Sequence, residues 1–92
     1  MSDSTAKFSS GQVVITAAAK DVLHAEDVQA CLVRYLNGDW GDLCDADREE
    51  NQIALLHGLR LFSVYHDRDK VKFYIITEHD RSVTTVLLPE DY

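Results

Sequence analysis

The spacing of apolar residues changes period at Arg60, and that change sets the class of fold open to this chain. Before it, Val28, Cys31, Leu32, Tyr35 and Leu36 fall at i, i+3, i+4, i+7 and i+8, one stripe of a helix. After it the period is two. Val71, Phe73 and Ile75 share one face of a strand, while Lys72, Tyr74 and Ile76 share the other. Helices first and strands after read as α+β. The 92 residues allow one domain with a single modest core and little room for an enclosed active-site cavity.

Local signals divide the chain further. Residues 1–10 are polar and Ser-rich and read as a flexible tail, which leaves 11–92 as the single α+β domain. Gln12-Val13-Val14-Ile15 is a short β-type run that can add to a sheet edge. Thr16 can cap a helix over residues 17–23, with His24 near its end. Glu26 and Asp27 sit in the first turn of the next helix, where they complement its dipole, and Asn37-Gly38 ends it. Asp45 or Asp47 can cap a third helix, and Asp47 with Glu50 three residues on resembles a capping box. Ile53, Leu56 and His57 read as the inner face of that helix, and Gly58 closes it. Strands are expected over residues 61–65, 70–77 and 82–88, with polar turns between them. Pro89 stops the last strand and residues 90–92 trail off. The expected fold is a three-stranded antiparallel meander in the C-terminal half, packed against two to three N-terminal helices, with a short N-terminal edge strand.

Charge narrows the function classes. The chain carries 16 acids against 9 Lys and Arg, a net charge of −7. Affinity for nucleic acid rests on Lys and Arg at phosphates, and no basic cluster exists here, so direct nucleic-acid binding is not expected. No apolar run approaches the roughly 20 residues of a membrane span. Residues 1–10 lack the apolar core of a secretory signal. Cys31 and Cys44 form no metal or redox motif, and Cys31 falls on the apolar helical stripe. A reducing cytoplasm is the expected home.

The acid is densest between Asp39 and Glu50, where Asp39, Asp42, Asp45, Asp47, Glu49 and Glu50 surround one base, Arg48. The run opens on the only tryptophan, Trp40, which is flanked by Gly38 and Gly41. A tryptophan in such a loop has two readings. It can plug the core, with its indole N–H satisfied nearby, or it can stand exposed as a binding anchor. Asp45, Asp47, Glu49 and Glu50 have a local role at a helix start, whereas Asp39 and Asp42 have no structural role that the sequence shows. Asp39, Trp40, Asp42, Asp45, Asp47 and Glu49 are therefore the candidate contacts to a basic protein surface.

Nothing selects a catalytic or metal centre. Zinc spacing and a glycine-rich phosphate loop are both missing. His24 lies near Glu26 and Asp27, and His79 sits between Glu78 and Asp80, but these groups are neighbours in turns rather than ligands converging on one face. His57 reads as a partly buried structural histidine. Cys44 is surrounded by acids that disfavour a thiolate. No cofactor, metal or catalytic residue is expected. An enzyme built on His24, His57 or His79 is the weakest reading. A homodimer formed through a free edge at the third strand and the Tyr74 face is a further alternative.

Three stretches carry a family likeness: Gly38-Asp39-Trp40-Gly41, then Arg60-Leu61-Phe62-Ser63-Val64-Tyr65, then the run of residues 75–89 that begins Ile75-Ile76-Thr77-Glu78. From about Gly11 to Tyr92 the chain resembles a family of short bacterial, plasmid and phage proteins whose members are often labelled only as plasmid-related. The family has no established activity or catalytic residues to carry over. The resemblance implies a context, an accessory protein of a mobile element; taken with the charge of −7 and the Asp39–Glu50 acids, it leads to the expectation of an interaction protein acting on host or defence machinery.

Overall fold

Thr16 ends the first strand and starts the first helix, because its hydroxyl accepts the Ala19 N–H at 3.2 Å. Around that junction the computed structural model, which describes residues 6–92, orders its elements as follows. Strand β1 (Gln12–Ile15) leads into helices α1 (Ala17–Val22) and α2 (Ala25–Leu36). Helix α3 (Asp45–His57) comes next, followed by strands β2 (Leu61–His66), β3 (Lys72–Thr77) and β4 (Val83–Leu87). The strands form one sheet in the order β1-β4-β3-β2. β2, β3 and β4 make the expected antiparallel meander. β1 is the expected edge strand, parallel to β4, with Gln12 opposite Val83 and Ile15 opposite Val86, so the third strand of the meander is paired on both sides and is not the free edge expected of it. The fold is α+β, with the helices packed on the sheet.

Alternation along the strands sets the core. Leu61, Ser63 and Tyr65 of β2, Phe73, Ile75 and Thr77 of β3, and Thr84 and Val86 of β4 point to one face and are buried there. The α2 stripe of Val28, Cys31, Leu32 and Tyr35 is buried in the same core, as the helical period requires. Three hydroxyls cross that core in a chain. The Thr84 hydroxyl donates to the Ser10 carbonyl at 2.7 Å, which leaves its oxygen to accept from Thr77 at 2.8 Å. Thr77 in turn accepts from Tyr35 at 2.7 Å. Each hydroxyl spends its one proton toward Ser10, so the chain has a single consistent direction and none of the three hydroxyls is left unpaired.

The opposite face is covered as well. Ile76 and Leu87 are buried there, and Phe62, Tyr74 and Tyr92 form an aromatic cluster with centroids 4.8 to 6.3 Å apart. This corrects the expectation that residues 90–92 trail off. A 3-10 turn over Pro89–Asp91 folds the end back, held by Asp91, whose carboxylate accepts the Thr16 hydroxyl at 2.7 Å and the Leu88 N–H at 3.2 Å. The tail of residues 1–10 divides similarly. Residues 1–5 lie outside the described residues, whereas the Lys7 N–H donates to the Leu36 carbonyl at 2.7 Å and Phe8 packs on Tyr35 and Trp40.

Helix α3 departs most from expectation. Its N-cap is Cys44, with no side-chain cap bond, so Asp45 and Asp47 lie in the first turn rather than at the cap. Its inner face is Asn51 and Ala54, not Ile53, Leu56 and His57, which are all exposed. The cause is the outer edge of β2. The Asn51 amide donates to the Phe62 carbonyl at 2.7 Å, and its oxygen accepts the Phe62 N–H at 3.2 Å. One side chain thus pairs both backbone groups of an edge residue, and α3 must turn its polar position inward to do so. At the far end the Arg81 guanidinium donates to the Ala54 and Leu59 carbonyls and fixes the same rotation.

Asn51→Leu is expected to lower unfolding stability by about 2–3 kcal/mol, because it orphans the N–H and C=O of Phe62 while keeping side-chain bulk. Urea denaturation of the two proteins at neutral pH measures the difference.

Candidate functional site

The loop between α2 and α3 is built from the acids and aromatics that the sequence singled out. Asp39 accepts two bonds from the Arg34 guanidinium, at 2.9 and 3.3 Å, and one from the Gly41 N–H at 3.1 Å. The guanidinium bond first, and the Gly41 N–H after it, hold the carboxyl below the usual Asp range despite some burial. The Tyr65 hydroxyl donates to the Asp39 carbonyl at 2.6 Å. Arg48 turns back from α3 to donate to the Leu43 and Gly41 carbonyls, both at 2.9 Å. Gly41 has φ +73°, and a Cβ there would lie 2.2 Å from the Val64 carbonyl oxygen, so only glycine fits this close pass along β2.

Trp40 is 2% exposed. It stacks on Phe8 at 6.2 Å and meets the edge of Tyr35 at 5.7 Å. It is the core plug and not a surface anchor, which removes it from the candidate contacts. Its indole nitrogen finds no acceptor among the described residues, contrary to the expectation of a nearby partner. Asp42 also has a role that the sequence did not show. Its carboxylate lies 2.7 Å from His66 Nδ1, and its N–H donates to the Val64 carbonyl at 2.8 Å. Asp39 and Asp42 therefore both serve the loop's own structure.

The remaining candidates, Asp45, Asp47 and Glu49, stand apart. With Glu50 they are exposed and form no ion pair among the described residues. Elsewhere Glu26 and Asp27 pair with Arg68, Asp39 with Arg34, Glu78 with Arg60, Asp69 with His24 and Asp42 with His66, whereas Asp21, Asp67, Asp80, Glu90 and Asp91 also have no ion pair among the described residues. Asp45, Glu49, Ile53 and Leu56 fall at i, i+4, i+8 and i+11, on the side of α3 away from Asn51 and Ala54. Ile53 is 46% and Leu56 80% exposed, and Leu59 just beyond the helix is 52% exposed. The outer face of α3 is thus acidic in its first turns and apolar in its last. Sequence reasoning missed the apolar half, because helical periodicity alone assigns Ile53 and Leu56 to the inside. The signal against that assignment was the single Asn at position 51, three residues before Ala54, beside a strand edge that needed a polar partner.

The histidines form no catalytic grouping with these residues. His57 and His79 are exposed. His24 Nε2 lies 2.7 Å from the Asp69 carboxylate, and ligand-type atoms of His24, Asp67 and Asp69 sit within 4.8 Å of one another. Asp67 is nevertheless spent on backbone, accepting N–H bonds from Asp69, Val71 and His24. Burial pushes its carboxyl up, but those three N–H groups outweigh burial and hold it below the ordinary value. The cluster ties the α1–α2 junction to the β2–β3 hairpin. Beside it, Arg68 donates to both Asp27 oxygens and holds that carboxyl down to about 2. Cys31 is buried and Cys44 exposed. No helix of the described residues is long and apolar enough to cross a membrane.

Compared with protein-family models, with curated proteins and with solved structures, the chain has no match.

Two outcomes follow from the site's geometry. Native Trp40 fluorescence is expected to be blue-shifted and nearly insensitive to iodide, and to become fully quenchable in denaturant; strong native quenching would place the ring outside the core. Asp27, Asp39 and Asp67 all have lowered native pKa values, so their stabilisation is complete above about pH 4 and is lost as pH falls through those lowered values, which for Asp27 is about 2. The urea midpoint should drop as pH falls below about 4. Carboxyl-carbon NMR should place the Asp27 midpoint near 2, returning toward the ordinary Asp value of 3.8 in Arg68→Ala.

Proposed function

We propose that this chain acts by protein–protein contact and not by catalysis, docking the outer face of α3 on a partner that presents basic side chains around an apolar patch. The carrying observation is the pairing on one helix face of unpaired carboxylates, Asp45 and Glu49, with exposed Ile53 and Leu56. Asp47 and Glu50 extend the charge at the same end. A contiguous exposed apolar strip beside charge has the anatomy of an interface, with an apolar centre and a rim that steers. Asp39, Trp40 and Asp42 hold the loop that leads into α3.

The partner class follows from the charge. A host nucleic-acid-binding or defence protein displays Lys and Arg for phosphates, and a row of carboxylates can occupy the same groups. The likeness to plasmid and phage proteins fits an inhibitor of that kind, carried by a mobile element and working in the cytoplasm of its host. The free thiols of Cys31 and Cys44 accord with a reducing compartment.

The test is capture from an extract of the native host with three baits: wild type, the triple reversal Asp45→Lys, Asp47→Lys and Glu49→Lys, and Leu56→Asp. All four positions are exposed, so each bait should keep its circular dichroism, with the reversal melting a few degrees lower because lysines replace acids at the helix's positive end. The reversal is expected to weaken the wild-type complex at least about tenfold, and the complex itself should loosen as salt rises. Retention of every wild-type partner by both variants ends this reading.

A further inference from the structure

The two edges of the sheet are treated differently, and the difference is informative. The β2 edge is closed. Asn51 pairs both backbone groups of Phe62, Gly41 bridges to Val64, and the Asp42 N–H takes the Val64 carbonyl. The β1 edge is open. The Gln12 and Thr16 N–H groups donate to the Ser82 and Val86 carbonyls of the β4 side, at 2.9 and 3.0 Å. By strand alternation the N–H and C=O of Val13 and Ile15 then point away from the sheet, and β1 pairs with no other strand among the described residues. Val13, Val14 and Ile15 are 46%, 37% and 39% exposed. The usual guards of a free edge, a Lys, a Pro or a bulge, are absent from Gln12-Val13-Val14-Ile15.

We propose that β1 is a dimerisation edge, occupied by β1 of a second copy in antiparallel register about a two-fold axis at Val14. In that register Val13 of each copy faces Ile15 of the other, and both pairs have outward N–H and C=O groups, giving about four interchain hydrogen bonds. Val14 meets its own counterpart as the close, non-hydrogen-bonded pair. The two sheets become one of eight strands.

Three observations select a second copy over another strand. The first is closure. Because β2 is blocked, a β1 edge cannot pair head-to-tail with the far edge of another copy, so only β1 to β1 remains, and that contact ends at two. The second is charge. Each copy carries −7, yet residues 9–19 hold no charged side chain. The acidic loop beside β2 lies three strand spacings away, roughly 14 Å. The carboxylate that reaches this edge, Asp91 on Thr16, would lie opposite the uncharged Gln12 of the second copy in that register, so two anionic molecules can meet there without setting acid against acid. The third is the groove beside the strand, about 340 Å3, lined by Val13, Ile15, Ala25, Val28 and Leu32, with Lys20 its one charged residue. Val13 and Ile15 share the face of Thr84 and Val86. The partner's Ile15 and Val13 would continue that apolar strip across the axis and cover both grooves.

Sedimentation equilibrium of the full chain should give about twice the 10.4 kDa protomer mass, falling to one protomer on dilution. Val13→Pro removes an outward N–H without touching the β4 ladder, and Val14→Lys sets two charges face to face at the axis; each should give a folded monomer by circular dichroism and mass. Should Val13→Pro fail to fold, Val14→Lys decides. In a Cys44→Ser background, Val14→Cys should form an intermolecular disulfide on mild oxidation, since the close pair sits within disulfide reach. A strict monomer up to about 1 mM, a dimer that survives Val14→Lys, or a dimer in which Val14→Cys does not cross-link overturns the proposal.

Discussion

The paired hydrogen bonds between Asn51 and the Phe62 peptide govern more of this molecule than any other contact. They close an edge strand with a side chain in place of a strand. The Asn51 amide supplies one donor and one acceptor at the spacing of a backbone peptide, so β2 sees a stand-in for a neighbour. The helix that carries Asn51 loses its freedom to rotate. Ala54 then faces the sheet, small enough for close approach, and Ile53 and Leu56 face solvent. Burying an Asn, with two apolar residues outside, is unfavourable by hydrophobic bookkeeping alone. It stands because an unpaired buried peptide costs on the order of 1–3 kcal/mol per group, comparable to the burial of an aliphatic side chain.

The same economy of polar groups recurs around Trp40. Three arginines are spent on backbone or on loop acids rather than on solvent. Arg48 holds the Leu43 and Gly41 carbonyls, Arg34 holds Asp39, and Arg81 caps the end of α3. With only 9 bases against 16 acids, each base committed to the frame leaves carboxylates elsewhere without a partner. Four of them, Asp45, Asp47, Glu49 and Glu50, fall together on the first turns of α3, next to the helix's positive end, where the dipole tolerates them. The acidic face is in part a consequence of how the loop is held.

The fold was legible where periodicity and local chemistry agree. The α2 stripe, the Thr16 cap, the two faces of β3 and the meander all follow from single-segment rules. The Gly58 helix end does too. Legibility failed where a long-range partner decides. Asp39 needs Arg34 and Tyr65, Asp42 needs His66 and Val64, and α3's rotation needs Phe62; none of these pairings is written in local spacing. The chain end shows the same limit, since Tyr92 folds back only because Phe62 and Tyr74 offer it a surface. Of the six candidate contacts, Asp39, Trp40 and Asp42 proved to be framework, and Asp45, Asp47 and Glu49 stayed on the surface. The division falls at the start of α3, because residues before it must wrap the core and residues within it need only one inward side.

The two ends of the sheet then acquire different physical characters for one reason. A strand edge can be satisfied by a side chain, by a loop or by another strand, and the β2 edge uses the first two. Doing so places α3, its carboxylates and its exposed leucine on that side. The β1 edge receives none of this, and the segment that reaches it is uncharged from Ser9 to Ala19. An anionic protein that keeps one edge neutral and backbone-open has separated where it repels from where it can pair. A contact along β1 and a contact through α3 would therefore lie on opposite flanks of one sheet, and neither would hinder the other. Were both in use, a two-fold pair would present two α3 faces, and a partner with repeated basic sites would meet them with the gain in effective concentration that bivalence provides.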